Sequence, residues 1–177
     1  MTEEGLHLIV VRGNSASGKS TLARELQLAM GRGTANIGQD HFRRIVLREH
    51  DISDGDNITL LEQTARHCFD LGYHVILEGI LVAEHYGSML RGLIASHPGP
   101  HHIFYLDVPL EETLKRHAGR ALSVEVDPAR LREWYVPFDV FAVPREVVLD
   151  GNATLDGLLN TVLEHVGPVP PWDVHKS

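Results

Sequence analysis

The sequence has very little cysteine and no long apolar run. Its 177 residues include one cysteine, Cys68, so the chain can form neither an internal disulfide nor a zinc site built on cysteines. A lone cysteine is typical of a reducing compartment. The longest apolar runs, such as residues 8–11, are too short to span a bilayer, and the first four residues, MTEE, include two acidic ones where a signal peptide is basic. We therefore expect a cytoplasmic protein with no membrane segment.

Basic residues are also scarce. The chain has 16 Lys and Arg against 24 Asp and Glu, a formal net charge of −8. This balance argues against a broad nucleic-acid footprint or a membrane-surface protein, both of which usually need a basic face. The 12 histidines form no H-E-x-x-H motif or His/Cys ligand set, so we expect no dedicated zinc site.

The hydrophobic fraction of 43% and the charged fraction of 23% are ordinary for a globular protein. The length predicts one domain, over residues 1–167, followed by a proline-rich tail over residues 168–177. We expect a monomer or a homodimer.

Short apolar runs alternate along the chain with amphipathic helical patterns. The runs predict strands at residues 6–12, 34–38, 73–80, 101–107 and 146–150. The patterns predict helices at residues 20–30, 40–50, 57–71, 83–96, 110–117, 128–135 and 155–166. Strands separated by helices of this length indicate a parallel sheet with helices on both faces. In such a sheet the active site lies at the carboxyl ends of the strands.

A glycine-rich motif connects the first strand to the first helix. Residues 13–20, GNSASGKS, match G-x-x-x-x-G-K-[ST] in the strand-to-helix context that this phosphate-binding loop needs. Its backbone N–H groups and the helix N-terminus are suited to phosphate oxygens. Lys19 is expected to reach the β- and γ-phosphates, and the Ser20 hydroxyl is expected to ligate Mg²⁺. The residues expected to bind the nucleotide are Gly13, Asn14, Ser15, Ala16, Ser17, Gly18, Lys19, Ser20 and Thr21.

Acidic residues follow or end the next two strands. Asp40 comes after the second strand, where a general base would orient an attacking hydroxyl, although aspartate is also a favoured helix N-cap. Arg43, one helical turn on, is positioned to bind a phosphate or carboxylate of the acceptor. Glu78, near the end of the third strand, is a candidate to bind Mg²⁺ directly or through water, to contact the acceptor, or to be a solvated strand end.

A run of cations after the fourth strand suggests a lid over residues 115–135. An arginine there would neutralise charge on the transferring phosphoryl group. Arg120 is the better candidate and Arg116 the second, and the alternative is a solvated helical face. The cations of this segment are Lys115, Arg116, Arg120, Arg130 and Arg132.

The segments GNSASGKST, IGQDHFRR, VILEGIL and LDVPLEETLKRHAGR together resemble P-loop kinases of the polynucleotide-kinase and chloramphenicol-phosphotransferase-like group, with zeta-toxin-like and gluconate kinases as more distant relatives. The resemblance implies an α/β three-layer sandwich whose five-stranded parallel sheet has adenylate-kinase-like order, with a helical lid, binding ATP and Mg²⁺. It implies that Asp40 is the general base and that Arg43 contacts a phosphate of the acceptor. It also implies that Glu78 is an acidic strand-end residue and Arg120 the catalytic lid arginine.

Three functions stay open at this point. The favoured one is an ATP-dependent kinase that phosphorylates a hydroxyl of a small molecule, such as a nucleoside, a sugar or an antibiotic. A polynucleotide 5′-hydroxyl kinase is supported by the Asp40 and Arg43 spacing, but the net acidity opposes it, and Gln39 stands where that kinase has a basic residue. A nucleotide-binding switch or NTPase module is the third, and the sequence has no guanine-specifying Asn-Lys-x-Asp element. The acceptor pocket is expected to form from residues 40–48, residues 78–85, Trp134 and Tyr135.

Overall fold

The structure is a computed structural model that describes residues 5–119, 127–141 and 146–169. Its strands are β1 (Leu8–Gly13), β2 (Thr34–Gly38), β3 (His74–Gly79), β4 (His101–Asp107) and β5 (Glu146–Asp150). Its α-helices are α1 (Lys19–Met30), α2 (Asp56–Asp70), α3 (Ala83–Ser96), α4 (Leu110–Ala118), α5 (Pro128–Trp134) and α6 (Leu155–Val166). A π-helix, His41–Leu47, lies between β2 and α2.

The five strands form one parallel sheet in the order β2-β3-β1-β4-β5. This is the adenylate-kinase-like order expected from the resemblance, and it confirms the α/β fold. β1 lies in the centre, where Val11 is opposite Glu78 of β3 and Phe104 of β4. Gly38 of β2 is opposite Glu78 as well. The carboxyl ends of β1, β2 and β3 therefore meet at one edge of the sheet.

Two apolar cores, one on each face of the sheet, make the three layers. Alternate residues of β1 point to opposite faces, as the two-residue period of a strand requires. Leu8 and Val10 pack with α2 and α3, whereas Ile9 and Val11 pack with α1 and α6. All four side chains are fully buried, and a fully buried Leu, Ile or Val contributes roughly 1.5–3 kcal/mol. The buried strands hold the phosphate-binding loop on a rigid base.

The segment after β2 differs from the prediction. Instead of an α-helix over residues 40–50, the chain forms the shorter π-helix and ends it at Arg48, whose φ is 54°. No residue of the π-helix is buried, and the β-branched Ile45 and Val46 are 68% and 51% exposed. Packing against the core supplies most of the stability of a helix, so these exposed residues do not stabilise a longer helix. The chain turns away at Glu49, which accepts hydrogen bonds at the N-terminus of α2.

Side chains cap the starts of two helices. The Asp127 side chain accepts a hydrogen bond from the Ala129 amide at 3.0 Å, at the start of α5. Thr154 accepts one from the Gly157 amide at 3.1 Å, which makes it the N-cap of α6. Among the described residues, no helix combines the length and the apolar character needed to cross a membrane.

Candidate functional site

The loop between β1 and α1 has the backbone of a phosphate cradle. Gly13 and Gly18 have φ angles of 149° and 99°, and Ala16 has 57°. A β-carbon at Gly13 would lie 2.6 Å from the Leu106 carbonyl oxygen, so only glycine fits there. α1 begins at Lys19, directly after Gly18, so the loop and the positive end of the helix dipole face the same space.

A small cavity of about 90 Å³ lies against this loop, and we call it the phosphate cavity. The Lys19 ammonium lies beside the loop, donating to the Asn14 carbonyl at 2.7 Å and to Ser17 Oγ at 3.3 Å. A cation and backbone donors in a small recess are suited to bind an anion such as a phosphate. Its lining includes Ser15, Ala16, Lys19, Ser20, Asp40, Glu78 and His117.

Ser20 and Glu78 lie together in this cavity. The Ser20 hydroxyl donates a hydrogen bond to Glu78 Oε2 at 3.1 Å, and only 9% of Glu78 is exposed. Burial raises the pKa of the Glu78 carboxyl, while the Lys19 charge and the Ser20 hydrogen bond oppose the rise. Gly38 makes room, because a β-carbon there would lie 2.9 Å from Glu78 Oε1. Two hard oxygen donors beside a phosphate loop fit a Mg²⁺ ion, which would favour the ionised carboxylate.

Asp40 also lines the phosphate cavity, directly before the π-helix. Its Oδ1 accepts from Arg43 Nη2 at 3.0 Å and lies 3.2 Å from Arg44 Nε. Both contacts use Oδ1, so Oδ2 has no partner within the described part of the chain. The side chain is 57% exposed and makes no capping hydrogen bond, so capping does not account for this carboxylate.

Of the two arginines predicted to act from the lid, the structure describes Arg116. Arg116 donates to the Ser17 carbonyl at 3.4 Å and the Gly151 carbonyl at 2.9 Å, so it links the phosphate loop to the loop after β5. It also pairs with Glu112 at 3.1 Å. Arg120 lies outside the described residues, and its role stays a prediction.

A second cavity of about 420 Å³ adjoins the phosphate cavity, and we call it the large cavity. Ser15, Arg44 and Ile80 line both, so the two spaces meet. The large cavity draws on the three segments from which the sequence predicted an acceptor pocket: the π-helix region, the loop after β3, and α5. Its charged lining residues are Arg43, Arg44, Arg130, Asp51, Glu84 and Glu133, and its aromatic ones are Trp134 and Tyr135.

Sequence reasoning missed a buried cation at the end of β1. Arg12 of β1 is completely buried, and it donates to the Asp139 carboxylate at 2.5 Å and to Glu146 Oε1 at 2.8 Å. It also donates to the Leu81 carbonyl, so it ties the loop after β3 to the segment after α5. The one available signal was a cation at the end of an otherwise apolar strand.

Asn14 of the phosphate loop reaches the segment after α5 as well. Its side-chain nitrogen donates to the Val136 carbonyl at 2.8 Å, and its side-chain oxygen accepts from the Val136 amide at 3.0 Å. Asn14 also donates to the Tyr105 hydroxyl at 3.2 Å. The side chain thus fixes the segment that follows α5 against the phosphate loop.

A further missed group surrounds Asp51, on the loop between the π-helix and α2. Its Oδ1 lies 3.0 Å from the Tyr86 hydroxyl and 3.4 Å from His85 Nδ1. Asp51 and His85 both line the large cavity. Nothing local in the sequence marks this contact, because the partners are 34 and 35 residues apart.

Comparison with known proteins identifies the family. A family model described as an AAA domain matches residues 8–141, which is more than half of the chain. The chain belongs to this AAA domain family. No curated protein matches the sequence.

Solved structures share the fold. A gluconokinase from Sinorhizobium meliloti 1021 superposes with a TM-score of 0.66 at 19% identity, covering 92% of this chain and 91% of that one. The APS kinase of Mycobacterium tuberculosis, solved with AMPPNP and APS, gives a TM-score of 0.68 at 18% identity, covering 91% and 96%. A chain of the Pnkp1/Rnl/Hen1 RNA repair complex gives 0.60 at 18% identity, covering 75% and 43%. At these identities the similarity shows a P-loop kinase-like fold.

Proposed function

We propose that this AAA-domain chain is an ATP-dependent kinase that transfers the γ-phosphoryl group of ATP to a hydroxyl of a small molecule. The observation that carries the proposal is the relation of Asp40 to the two cavities. Asp40 lines the phosphate cavity, its Oδ2 has no partner among the residues that the structure describes, and its partner Arg44 lines both cavities. A carboxylate at such a junction can take a proton from an acceptor hydroxyl while the phosphate loop holds the nucleotide.

ATP would bind on residues 13–21, with Lys19 at the β- and γ-phosphates. The Ser20 hydroxyl and the Glu78 carboxylate, the latter directly or through water, would hold Mg²⁺. When bound, Mg²⁺ neutralises charge on the phosphate oxygens. The nearby Lys19 charge and the Ser20 hydrogen bond favour the ionised form of the buried Glu78 carboxyl, which is the form that would bind the metal.

In the proposed reaction the acceptor oxygen attacks the γ-phosphorus, the bond to the β-phosphate oxygen breaks, and ADP leaves. Asp40 Oδ2 accepts the hydroxyl proton, and Arg43 holds both Asp40 and the acceptor in position. Lys19 and Arg120 stabilise the charge that spreads over the equatorial oxygens in the transition state, and Arg116 contributes from the nucleotide side. The lid of residues 115–135 supplies both arginines.

A small acceptor is favoured over a polynucleotide by the charges of the large cavity. Its three arginines are matched by three carboxylates, whereas a nucleic-acid channel needs an excess of cations. A 5′-hydroxyl polynucleotide kinase would also lose substrate affinity steeply as salt rises. We further propose that the enzyme works in the cytoplasm, as a monomer or a homodimer.

Labelled ATP and a set of hydroxylated acceptors test the proposal in the full chain. Asp40→Asn should lower phosphoryl transfer by about 100-fold or more while ATP binding stays nearly intact. Asp54→Asn is the matched control, because Asp54 is exposed and lines neither cavity. Normal transfer by Asp40→Asn would remove Asp40 as the base. ATP hydrolysis that no acceptor stimulates would favour an NTPase module instead.

A further inference from the structure

The loop that carries Asp51 is fixed at both of its ends. The Glu49 carboxylate accepts from the Asp56 amide at 3.2 Å and from the Asn57 amide at 2.6 Å, so it caps the first turn of α2. The Asn57 side chain is completely buried and donates to Glu49 Oε1 at 2.5 Å. Asp51 lies between these anchors, so the backbone that presents it to the large cavity is held in place.

The Asp51 carboxylate is also held from behind. The buried Tyr86 hydroxyl lies 3.0 Å from Asp51 Oδ1, and it accepts a 2.6 Å hydrogen bond from the Gln39 amide. Burial and the neighbouring Asp51 charge raise the pKa of Tyr86, so the hydroxyl stays protonated and able to donate. The Asp51 and His85 side chains are still 26% and 22% exposed, and they face the large cavity together.

The free charges of the large cavity are mainly acidic. Arg43 and Arg44 share the single Asp40 carboxylate, which compensates one of their two positive charges. Glu84 and Glu133 line the cavity and, among the described residues, form no ion pair. Arg130 is the remaining lining cation. An acceptor that brings its own phosphate would meet Asp51 and two carboxylates that have no ion pair within the described ranges, so this cavity disfavours it.

Aromatic side chains from the end of α5 line the same cavity. Trp134 is 49% exposed, and Tyr135 is fixed because its hydroxyl donates to the Val108 carbonyl at 2.9 Å. A flat aromatic surface can pack against one face of a ring, and oriented carboxylates beside it can accept hydrogen bonds from the hydroxyls at the edge of that ring. Asp51 accepts hydrogen bonds from hydroxyl or ammonium groups, and the other imidazole nitrogen of His85 can bind a second such group.

Together these observations suit one class of acceptor. We infer that Asp51 and His85 form the acceptor-binding pair of the large cavity, and that the acceptor is a ring polyol that is uncharged or carries an amine. This inference rests on the proposed kinase function. It names two side chains that select the acceptor and act separately from Asp40.

Binding measurements on the full chain with AMPPNP and Mg²⁺ test this pair without relying on turnover. The probes are myo-inositol, glucose and glucosamine, with glucose 6-phosphate, adenosine and a 3′-phosphorylated nucleoside for comparison. We expect at least one ring polyol to bind more tightly than all three comparison probes. Asp51→Asn should weaken that binding by about tenfold or more, because it replaces an ionised acceptor with an amide.

Controls separate recognition from folding. His85→Gln should also weaken the polyol, and since this side chain is on the cavity surface, the thermal midpoint should stay near wild type. Asp54→Asn, the same change on the same loop outside the cavity, should bind as wild type. Affinity for AMPPNP should stay within about twofold in all three variants. A folded Asp51→Asn variant that binds the polyol normally overturns the assignment.

The remaining outcomes also decide the question. If no ring polyol binds, or if a phosphorylated probe or adenosine binds best, the acceptor class is wrong. If polyols bind and their affinity depends on Asp51, but they are never phosphorylated, the binding pair is supported and the proposed kinase function is wrong. If a probe is phosphorylated with no dependence on Asp51 or His85, the function stands and the pair is wrong.

Discussion

The Ser20 hydroxyl donates a hydrogen bond to Glu78 Oε2 at 3.1 Å, joining the first turn of α1 to the end of β3. These residues are 58 positions apart in the chain, and the adjacent β1 and β3 bring them together. The contact sets a hydroxyl and a buried carboxylate side by side next to Lys19. It is the part of the site where the proposed metal and the nucleotide would meet.

Replacement of Glu78 should separate metal binding from stability. Glu78→Gln should raise the Mg²⁺ concentration needed for half-maximal phosphoryl transfer by about tenfold or more, since it removes a charged oxygen ligand. The same variant, without metal, should melt at a higher temperature than wild type at pH 7. Burial raises the pKa of Glu78 in the folded state, so ionisation at pH 7 opposes folding.

Magnesium titrations of transfer and melting curves in EDTA measure the two effects. The exposed Glu164→Gln on α6 is the control and should change neither. An unchanged Mg²⁺ requirement in Glu78→Gln would remove Glu78 from the metal site.

Loss of the predicted lid arginine should act on turnover more than on binding. Arg120→Ala should lower kcat by about 100-fold or more while the Kd for ATP changes by only a few-fold, because the side chain is expected to act on transition-state charge. Single-turnover kinetics and calorimetric ATP titration measure the two quantities. Arg24→Ala, an exposed change on α1, is the control. An equal loss in kcat and ATP affinity would show instead that Arg120 binds the nucleotide in the ground state as strongly as in the transition state.

The buried cation of β1 should be needed for folding. Arg12→Met leaves the Asp139 and Glu146 carboxylates without their partner, and breaking a buried ion pair costs about 3–5 kcal/mol. Burial already raises the pKa of Glu146, and the Arg12 charge opposes that rise. Chemical denaturation should therefore show a large loss of stability. Arg91→Met, which removes an exposed arginine 5.3 Å from the Phe141 ring, should cost far less. Equal losses would argue against the network.

A histidine cluster at the amino edge of the sheet should make stability fall with acid. Burial, together with the neighbouring His7, lowers the pKa of both His74 and His102 to about 4. His74 Nδ1 accepts from the His7 amide at 2.9 Å, and His7 Nδ1 lies 3.3 Å from His102 Nε2. His101 and His165 add repulsion at His102.

The sign follows from these lowered pKa values. The unfolded chain binds protons near pH 6.5 and the folded one only near pH 4, so stability is full above pH 6.5 and falls as the pH drops towards 4. Each such histidine steepens the fall by up to about 1.4 kcal/mol per pH unit. Urea unfolding at pH 7 and pH 4.5 measures the loss. His102→Gln should reduce it, whereas the exposed His67→Gln should not. An identical loss in both variants would exclude the cluster as its cause.

Local motifs were predicted well because their information is contiguous. The phosphate loop needs glycine at two fixed places, a strand before it and a helix after it, and all of these lie within residues 8–30. Residues 40–50 have the spacing of a helix, but the helix of the structure ends at residue 47, and its contact with the core is made by the partly buried Phe42. The helical pattern alone could not show that Glu49 would turn back to cap α2.

The positions of the basic residues also depended on the tertiary structure. Their order along the chain predicts that nine of them lie near the cleft: Lys19, Arg43, Arg44, Arg48, Lys115, Arg116, Arg120, Arg130 and Arg132. The cavity linings include Lys19, Arg43, Arg44 and Arg130 of that set, whereas Lys115 is 76% exposed and pairs with Glu112 at 3.9 Å. Arg12, outside the set, is fully buried.

The sequence by itself determined the sheet class, the phosphate loop and the spacing of Asp40 and Arg43, since each depends on neighbours within a few residues. Only the tertiary structure decided which carboxylates share a space with which donors. Ser20 with Glu78, and Asp51 with Tyr86 and His85, come from helices, a strand and a loop that are far apart in the chain. Parallel strand order brings them together, and composition and local pattern carry no record of that order.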